Sequence, residues 1–525
     1  MFRRCWNLGL ISLVALALDI SPMGVPMAHA LSAPIVSTGI CGWDSTPGWI
    51  ARENAKEGDA QWARGISMRY GGDYSGRRFI FGASRWSSRP FVAQGVHGWF
   101  DATGATCGQQ VGLHISADTD AVTIRVFRMG YYRGAGARLV LRDQIRGIPV
   151  ESLPKISPAP ESTVTSTWSA AYSLKITKST PPGQYLIRLD DGFGNSSFVP
   201  ITIFDTGIRS SITFVSSVLT WQAYNCWGGY SLYKGPNQSR ATRANIVSFN
   251  RPYDGDGSGQ FRYLEYPIVK IAEKLGIDMN YITDVELDRN ISSLHMTKSI
   301  LLGGHAEYWT SGMRDSLQSA VSRGINLVSL GGNAGYNRPR LSARNRELVM
   351  WRSSSADIFS STSTEATKPW RDQPISKPES TLLGAEYIGL GVNGDYTIAH
   401  PNRWPFSATK RIEKLHSVVG REVDSPLYAA GPAVEVLAWS DIRMGGHQVT
   451  SMATYYTNAE KAGILDISTN GWTCAIDNVC PWHSTHSDQT QRDIRMITEE
   501  ILQGLTKGPL GFWRPALIDL PSRVV

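Results

Sequence analysis

Past residue 30 the 525-residue chain has no apolar run long enough to span a bilayer, so a helical membrane body is not expected there. Charged residues are sparse at 18%, and the 52 Lys and Arg are scattered rather than gathered into the stripe that tracks nucleic acid. The net charge of +7 therefore implies a mildly basic surface, with at most a weak attraction to acidic envelope components. Cysteine is scarce, six in all, and none sits in the Gly-x-Cys-x-Gly elbow that presents a catalytic thiol at a strand end. Cys226 follows a strand candidate but lies in a Trp-rich loop, which argues against a cysteine nucleophile.

The apolar stretch that does exist is N-terminal. Arg3 and Arg4 precede about Leu8 to Leu18, and Ala28-His29-Ala30 offers the small residues a signal peptidase requires. Residues 1–30 are expected to be a cleaved signal peptide, with a periplasmic or secreted product that keeps no integral membrane segment; a retained signal anchor is the alternative. Cleavage removes Cys5 and leaves Cys41, Cys107, Cys226, Cys474 and Cys480. An odd count in an oxidising compartment leaves a thiol unpaired or bridged between molecules. Cys474 and Cys480 are close enough for a small looped disulfide. Cys41 with Cys107 would tie down the N-terminal region and leave Cys226 free, although spacing alone does not decide the pairing.

The chain is long enough for two or three cores, and its texture changes along its length. Residues 31–94 are rich in Trp, Arg and Gly with little periodicity and read as an irregular extension. Residues 95–207 hold short β-rich runs such as Val122–Phe127 and Tyr185–Leu189, cut by Gly, Pro, Ser and Asp, which predicts a β-sandwich. The Pro-rich piece Leu153–Pro160 reads as a surface loop within it. From 208 to 525 the reading becomes α/β: a strand over Ile212–Leu219, a helix over Phe261–Leu275 with Pro267 as a blemish, and extended chain at Met279–Thr283. A strand at Ser299–Leu302, a helix from Met313 to Val321 and a strand at Asn326–Leu330 follow. Alternation of this kind predicts a parallel, doubly wound sheet, whose ligands bind beyond the carboxyl ends of the strands.

That rule sorts the polar residues. Beyond the first strand lies Thr220–Asn225; beyond later ones lie Asp284, then His305 with Glu307, then Gly331-Gly332-Asn333. In extended chain alternate side chains share a side, so His305 and Glu307 should converge, as a metal or acid/base site requires. The competing reading is a polar loop over the core.

Three segments then carry a resemblance: Phe127–Arg138 (FRMGYYRGAGAR), Thr220–Gly229 (TWQAYNCWGG) and Gly304–Trp309 (GHAEYW). Together, and in this order, they resemble the N,N-dimethylformamidase large-subunit family over about residues 95–475. The resemblance implies an Ig-like β-sandwich followed by a glutamine-amidotransferase-like α/β domain. It also implies an iron site of two tyrosinates and one glutamate that hydrolyses a small amide, with a small accessory subunit or a homo-oligomer as the question left open. The glutamate matches Glu307, one tyrosine matches Tyr224, and Tyr185 is the match for the other. Tyr185 has an equal second reading, as the hydrogen-bonded corner tyrosine of a sandwich.

The implied chemistry is coherent. A phenol ionises near pH ~10, so a phenolate at neutral pH needs a strong neighbouring cation, which Fe3+ supplies. Such a metal polarises an amide carbonyl or acidifies water. His305 and Glu422, the latter in Val419–Asp424, are the proton-handling candidates, and Asn333 is a candidate donor to a developing oxyanion. Where the family stretch usually has Tyr-Lys, this chain has Trp351-Arg352. A guanidinium stays charged, so Arg352 cannot act as a base; it can stabilise a tetrahedral intermediate or grip a substrate carboxylate. The alternative from a different class is an exported non-catalytic protein whose Trp- and Tyr-rich cleft binds a carbohydrate or peptide.

Overall fold

The computed structural model describes residues 41–64 and 95–522, apart from 259, 290–291, 343, 353–354, 410–411, 427–429 and 481–485. The expected signal peptide lies outside the described residues, as does most of the irregular extension. The described chain is mostly β-sheet with few helices. None of those helices is long and apolar enough to cross a membrane.

Eight strands build the first part: β1 (Val96–Phe100), β2 (Gly104–Thr106), β3 (Gln110–Ala117), β4 (Ala121–Met129), β5 (Ala137–Arg146), β6 (Ala170–Lys175), β7 (Gly183–Asp190) and β8 (Ser196–Phe204). They form two sheets, ordered β1-β3-β6 and β2-β8-β7-β4-β5. Alternation in β4 turns Val122, Ile124 and Val126 inward, where they meet Leu113, Ile115 and Ile187 in one core. A disulfide joins Cys41 to Cys107 at its edge.

Nine strands make the second sheet system: β9 (Ser210–Ser216), β10 (Met279–Thr283), β11 (Thr297–Leu302), β12 (Asn326–Ser329), β13 (Glu386–Ile398), β14 (Lys414–Ser425), β15 (Glu435–Met444), β16 (His447–Thr457) and β17 (Gly463–Asp466). Their order is β10-β9-β11-β12-β17-β16-β15-β13-β14. Pairing is parallel from β10 to β17 and antiparallel from β17 to β14, so the sheet is mixed rather than wholly parallel. Around it stand α1 (Trp49–Asn54), α2 (Val218–Tyr224), α3 (Tyr266–Lys274), α4 (Ser311–Val321), α5 (Gly471–Ile476) and α6 (Asp488–Leu505). The last is amphipathic, with Ile494, Ile497, Ile501 and Leu505 on its buried stripe and Ser487 capping its first turn.

Two further expectations change. The strand predicted to reach Leu219 stops at Ser216, and Val218–Tyr224 is a helix. Buried carboxylates cause the turn: Glu265 accepts the Ser217 amide at 2.9 Å and Asp284 accepts the Leu219 amide at 2.9 Å. The helix predicted over Phe261–Leu275 is broken at Glu265 into Phe261–Leu264 and α3, with Pro267 in the first turn of α3, where a missing N–H costs nothing. The two parts of the molecule are joined by a buried ion pair. Arg128 of β4 donates to both oxygens of Glu273 of α3, at 2.7 and 2.9 Å, and Tyr281 and Asn54 also donate to that carboxylate.

Candidate functional site

Glu307 and His305 lie on the loop after β11, Tyr224 ends the helix after β9, and Asn333 follows β12 in a left-handed conformation (φ 60°) that asparagine tolerates. These are carboxyl ends of neighbouring parallel strands. Glu422 arrives from β14, at the far edge of the same sheet. It reaches the others because the antiparallel half curls back on itself. Val423 bridges Thr469, beyond β17, and the Asp424 amide donates to Ser468 O at 3.2 Å. The backbone is crowded at this seam: a Cβ on Gly332 would stand 2.6 Å from the Glu422 carbonyl oxygen.

Glu307 is the hub. Its Oε2 accepts from the Tyr224 hydroxyl at 2.8 Å, and its Oε1 accepts from Asn337 Nδ2 at 2.7 Å and from the Tyr233 hydroxyl. Tyr224 also reaches Glu422 Oε1, at 3.3 Å, and its ring stacks on Tyr233 at 4.3 Å between centroids. His305 Nε2 lies 2.6 Å from Glu422 Oε2 and 3.4 Å from Glu307 Oε2, while Nδ1 lies 3.2 Å from Gln260 Oε1. Behind the tyrosines runs a relay of donors: Arg352 Nη2 to the Tyr308 hydroxyl at 3.3 Å, Tyr308 to the Tyr233 hydroxyl at 2.7 Å, and Tyr233 to Glu307. Asn470 Nδ2 holds Glu422 Oε2 at 2.9 Å. Of these groups, Tyr224, Tyr233, Glu307, Asn337, Arg352 and Glu422 line a cavity of about 730 Å³, with His305, Tyr308 and Asn470 held behind them.

The electrostatics follow from burial and pairing. Burial, and then Glu307, push the Tyr224 hydroxyl well above its ordinary range, and the same two causes act on Tyr233. Burial works against the charged form of His305, but Glu422 and Glu307 beside it override that and raise it to about 10. Burial likewise opposes ionisation of Glu422, yet the His305 imidazole holds it below the usual carboxylate range. His305 and Glu422 therefore form a buried imidazolium–carboxylate pair. Burial pushes the Cys226 thiol up to about 11, so this cavity-lining cysteine has no thiolate to offer at neutral pH.

Of the residues expected from sequence, Tyr224, His305, Glu307, Asn333, Arg352 and Glu422 are brought together. Tyr185 is not. It is buried in the two-sheet core, and its hydroxyl donates to the Pro181 carbonyl at 2.6 Å, four residues back. The tyrosine at Glu307 beside Tyr224 is Tyr233, which the sequence reading missed along with Asn337 and Asn470. Tyr233 sits in Gly229-Tyr230-Ser231-Leu232-Tyr233-Lys234, where no periodicity singles it out. Asp284 lies at the predicted edge but is buried against the start of α2. Cys474 and Cys480 are bridged, and Cys226 is the free cysteine among the described residues.

The family model described as N,N-dimethylformamidase beta subunit-like, C-terminal, matches residues 123–487. The chain belongs to this family. The matched span of this dimethylformamidase-like protein contains every residue of the constellation above, from Tyr224 to Asn470. No curated protein matches the chain. Among solved structures, a similar chain is a Paenibacillus sp. cycloisomaltooligosaccharide glucanotransferase complexed with cycloisomaltoheptaose. It is 7% identical, the match covers 58% of this chain and 62% of that one, and the TM-score is 0.15, a likeness too low to carry an argument.

Proposed function

We propose that this dimethylformamidase-like protein is an exported hydrolase that cleaves an amide C–N bond at a mononuclear iron. The observation that carries the reading is the convergence of two buried phenols, Tyr224 and Tyr233, on the two oxygens of Glu307 under a large cavity. Hard oxygen donors of this kind suit a ferric ion. His305, Glu307 and Glu422 offer ligand atoms all within 4.8 Å of one another. The donor set thus fits a metal: Tyr224, Tyr233 and Glu307 would hold it, with His305 and Glu422 alongside. When bound, ferric iron supplies a Lewis acid that polarises an amide carbonyl and acidifies water.

The chain's own residues do the rest. The Glu422–His305 pair holds a proton at Nε2 and can pass it to the departing amine nitrogen, with Asn470 and Gln260 fixing the two ends of the pair. Asn333, whose side chain borders Glu422, is a donor for the oxyanion. The fold reading behind this site is an Ig-like sandwich followed by a glutamine-amidotransferase-like α/β body. Two disulfides, Cys41–Cys107 and Cys474–Cys480, support export to an oxidising compartment.

Tyrosinate on ferric iron absorbs visible light, so purified protein is expected to be coloured and to contain iron, and Tyr224→Phe to bleach it. Folded, colourless protein that takes up no iron would sink the proposal. Saturable sugar or peptide binding without metal would favour a binding protein instead.

A further inference from the structure

We propose that the cavity takes an amide whose far end carries a carboxylate, and that Arg352, Arg240 and Lys234 recognise that group. The inference rests on reading the same cavity as the amide site and names its substrate class. A volume of about 730 Å³ lies in the range that encloses drug-sized ligands and far exceeds the needs of a simple formamide. Aromatic walls, including Tyr253, Tyr336 and Tyr387, give such a ligand a body to pack against.

The charge distribution across the cavity is uneven. Glu307 and Glu422 sit at the floor, engaged by the tyrosines and His305. Asp254 accepts the Cys226 amide at 2.9 Å, and Asp372 acts on Tyr336. Arg352, Arg240 and Lys234 line the cavity too, and none of the three is in an ion pair among the described residues. Arg352 donates to neutral partners, the Tyr308 hydroxyl at 3.3 Å and the Met350 carbonyl at 3.5 Å, and lies over the Tyr233 ring at 5.6 Å.

Several partly buried arginines elsewhere in the fold are paired with carboxylates: Arg371 with Glu379, Arg340 with Asp357 at 2.6 Å, Arg514 with Glu435 at 2.6 Å. Arg421, which also lines the cavity, acts on Glu422, whereas Arg352 and Arg240 have a further cation near them. Arg243, just behind them, has its pKa lowered first by burial and then by Arg352 and Arg240. Burial opposes the charge on Arg352, and Tyr308, Tyr233 and Glu307 favour it, but its N–H groups meet no carboxylate among the described residues. An incoming carboxylate supplies the missing acceptor, and a guanidinium takes it with two parallel hydrogen bonds. The ligand is thereby oriented, its anionic end at Arg352 and its amide toward Glu307.

The test uses a pair that differs only in this charge, N-formyl-L-phenylalanine and its methyl ester, titrated calorimetrically into the full-length purified protein. The acid is expected to bind roughly tenfold tighter or better, and added NaCl to weaken the acid but not the ester. Arg352→Gln and Arg240→Gln should each lower acid affinity by about threefold to tenfold while leaving the ester unchanged. Arg240 is exposed on its loop, so its variant folds even where Arg352→Gln does not. Equal affinities for acid and ester, no acid binding at millimolar concentration, or acid affinity untouched by Arg240→Gln and Arg352→Gln would each overturn the inference. Iron content and turnover are scored separately. Acid-selective binding without iron or turnover leaves this inference standing and removes the amidohydrolase reading, while iron-dependent turnover with equal affinities does the reverse.

Discussion

Tyr233 and Tyr185 are both buried phenols, yet their hydroxyls meet different groups, a carboxylate for one and a backbone carbonyl for the other. The difference predicts separable phenotypes. Tyr185→Phe removes one neutral hydrogen bond and should cost about 1 kcal/mol in urea denaturation while leaving iron content and visible spectrum intact. Tyr233→Phe removes an oxygen from Glu307 and should shift or bleach the spectrum. The opposite pattern would return Tyr185 to the metal. His305 and Glu307 were legible as a pair because they stand two residues apart in one short segment, although that segment is a loop and not the extended chain expected. Tyr185 was ambiguous because a four-residue return to its own chain looks, in sequence, no different from a ligand.

At the scale of elements, the start of α2 is the place where local pattern and outcome part. An apolar run through Leu219 reads as continuing strand, but Glu265 and Asp284, distant in sequence, capture the amides of Ser217 and Leu219 and turn the chain into a helix that ends on Tyr224. Burial pushes the Glu265 carboxyl up to about 8, with one oxygen taken by Ser217 and by Trp221 Nε1 and the other without a partner. In the folded chain the proton is retained until about pH 8, whereas the unfolded chain releases it near the ordinary value of 4.5. Stability is therefore whole below about 4.5, declines as pH rises toward 8, and stays lower above it. Glu265→Gln keeps the accepting oxygen and cannot ionise. The variant should match the wild type near pH 4.5 and exceed it near pH 9 by on the order of 1 kcal/mol or more, read from denaturation midpoints. A pH-independent difference would contradict this account.

Across the whole molecule, the motif FRMGYYRGAGAR has a structural task. Arg128 reaches out of the two-sheet core to Glu273, and Tyr132 donates nothing to the cavity but accepts from Arg128 Nη1 at 2.8 Å and donates to Glu53. A Cβ on Gly130 would run into the Glu273 carboxylate, so only glycine fits at the joint. Arg128→Met strands a buried carboxylate and should cost about 3–5 kcal/mol. The double variant Arg128→Met with Glu273→Leu removes both charges and should lose less than Arg128→Met alone, measured by urea denaturation. Equal losses would show that packing, and not the unpaired charge, dominates.

Local pattern by itself determined a good deal: the β-rich texture, the strand at Met279–Thr283, the short Cys474–Cys480 loop, the family, and the convergence of His305 with Glu307. Each depends on spacing over a few residues or on a continuous motif. Tertiary structure alone decided that Glu422 meets His305, that Tyr233 stands at Glu307 where Tyr185 was expected, and that Arg352, Arg240 and Lys234 line one cavity without an ion pair among the described residues. These contacts need the antiparallel half of the sheet to curl until β14 meets the chain beyond β17, and they need a loop after α2 to fold back over Glu307. Strand order and loop return are set by which surfaces bury together across the whole core, a long-range balance that no local spacing records.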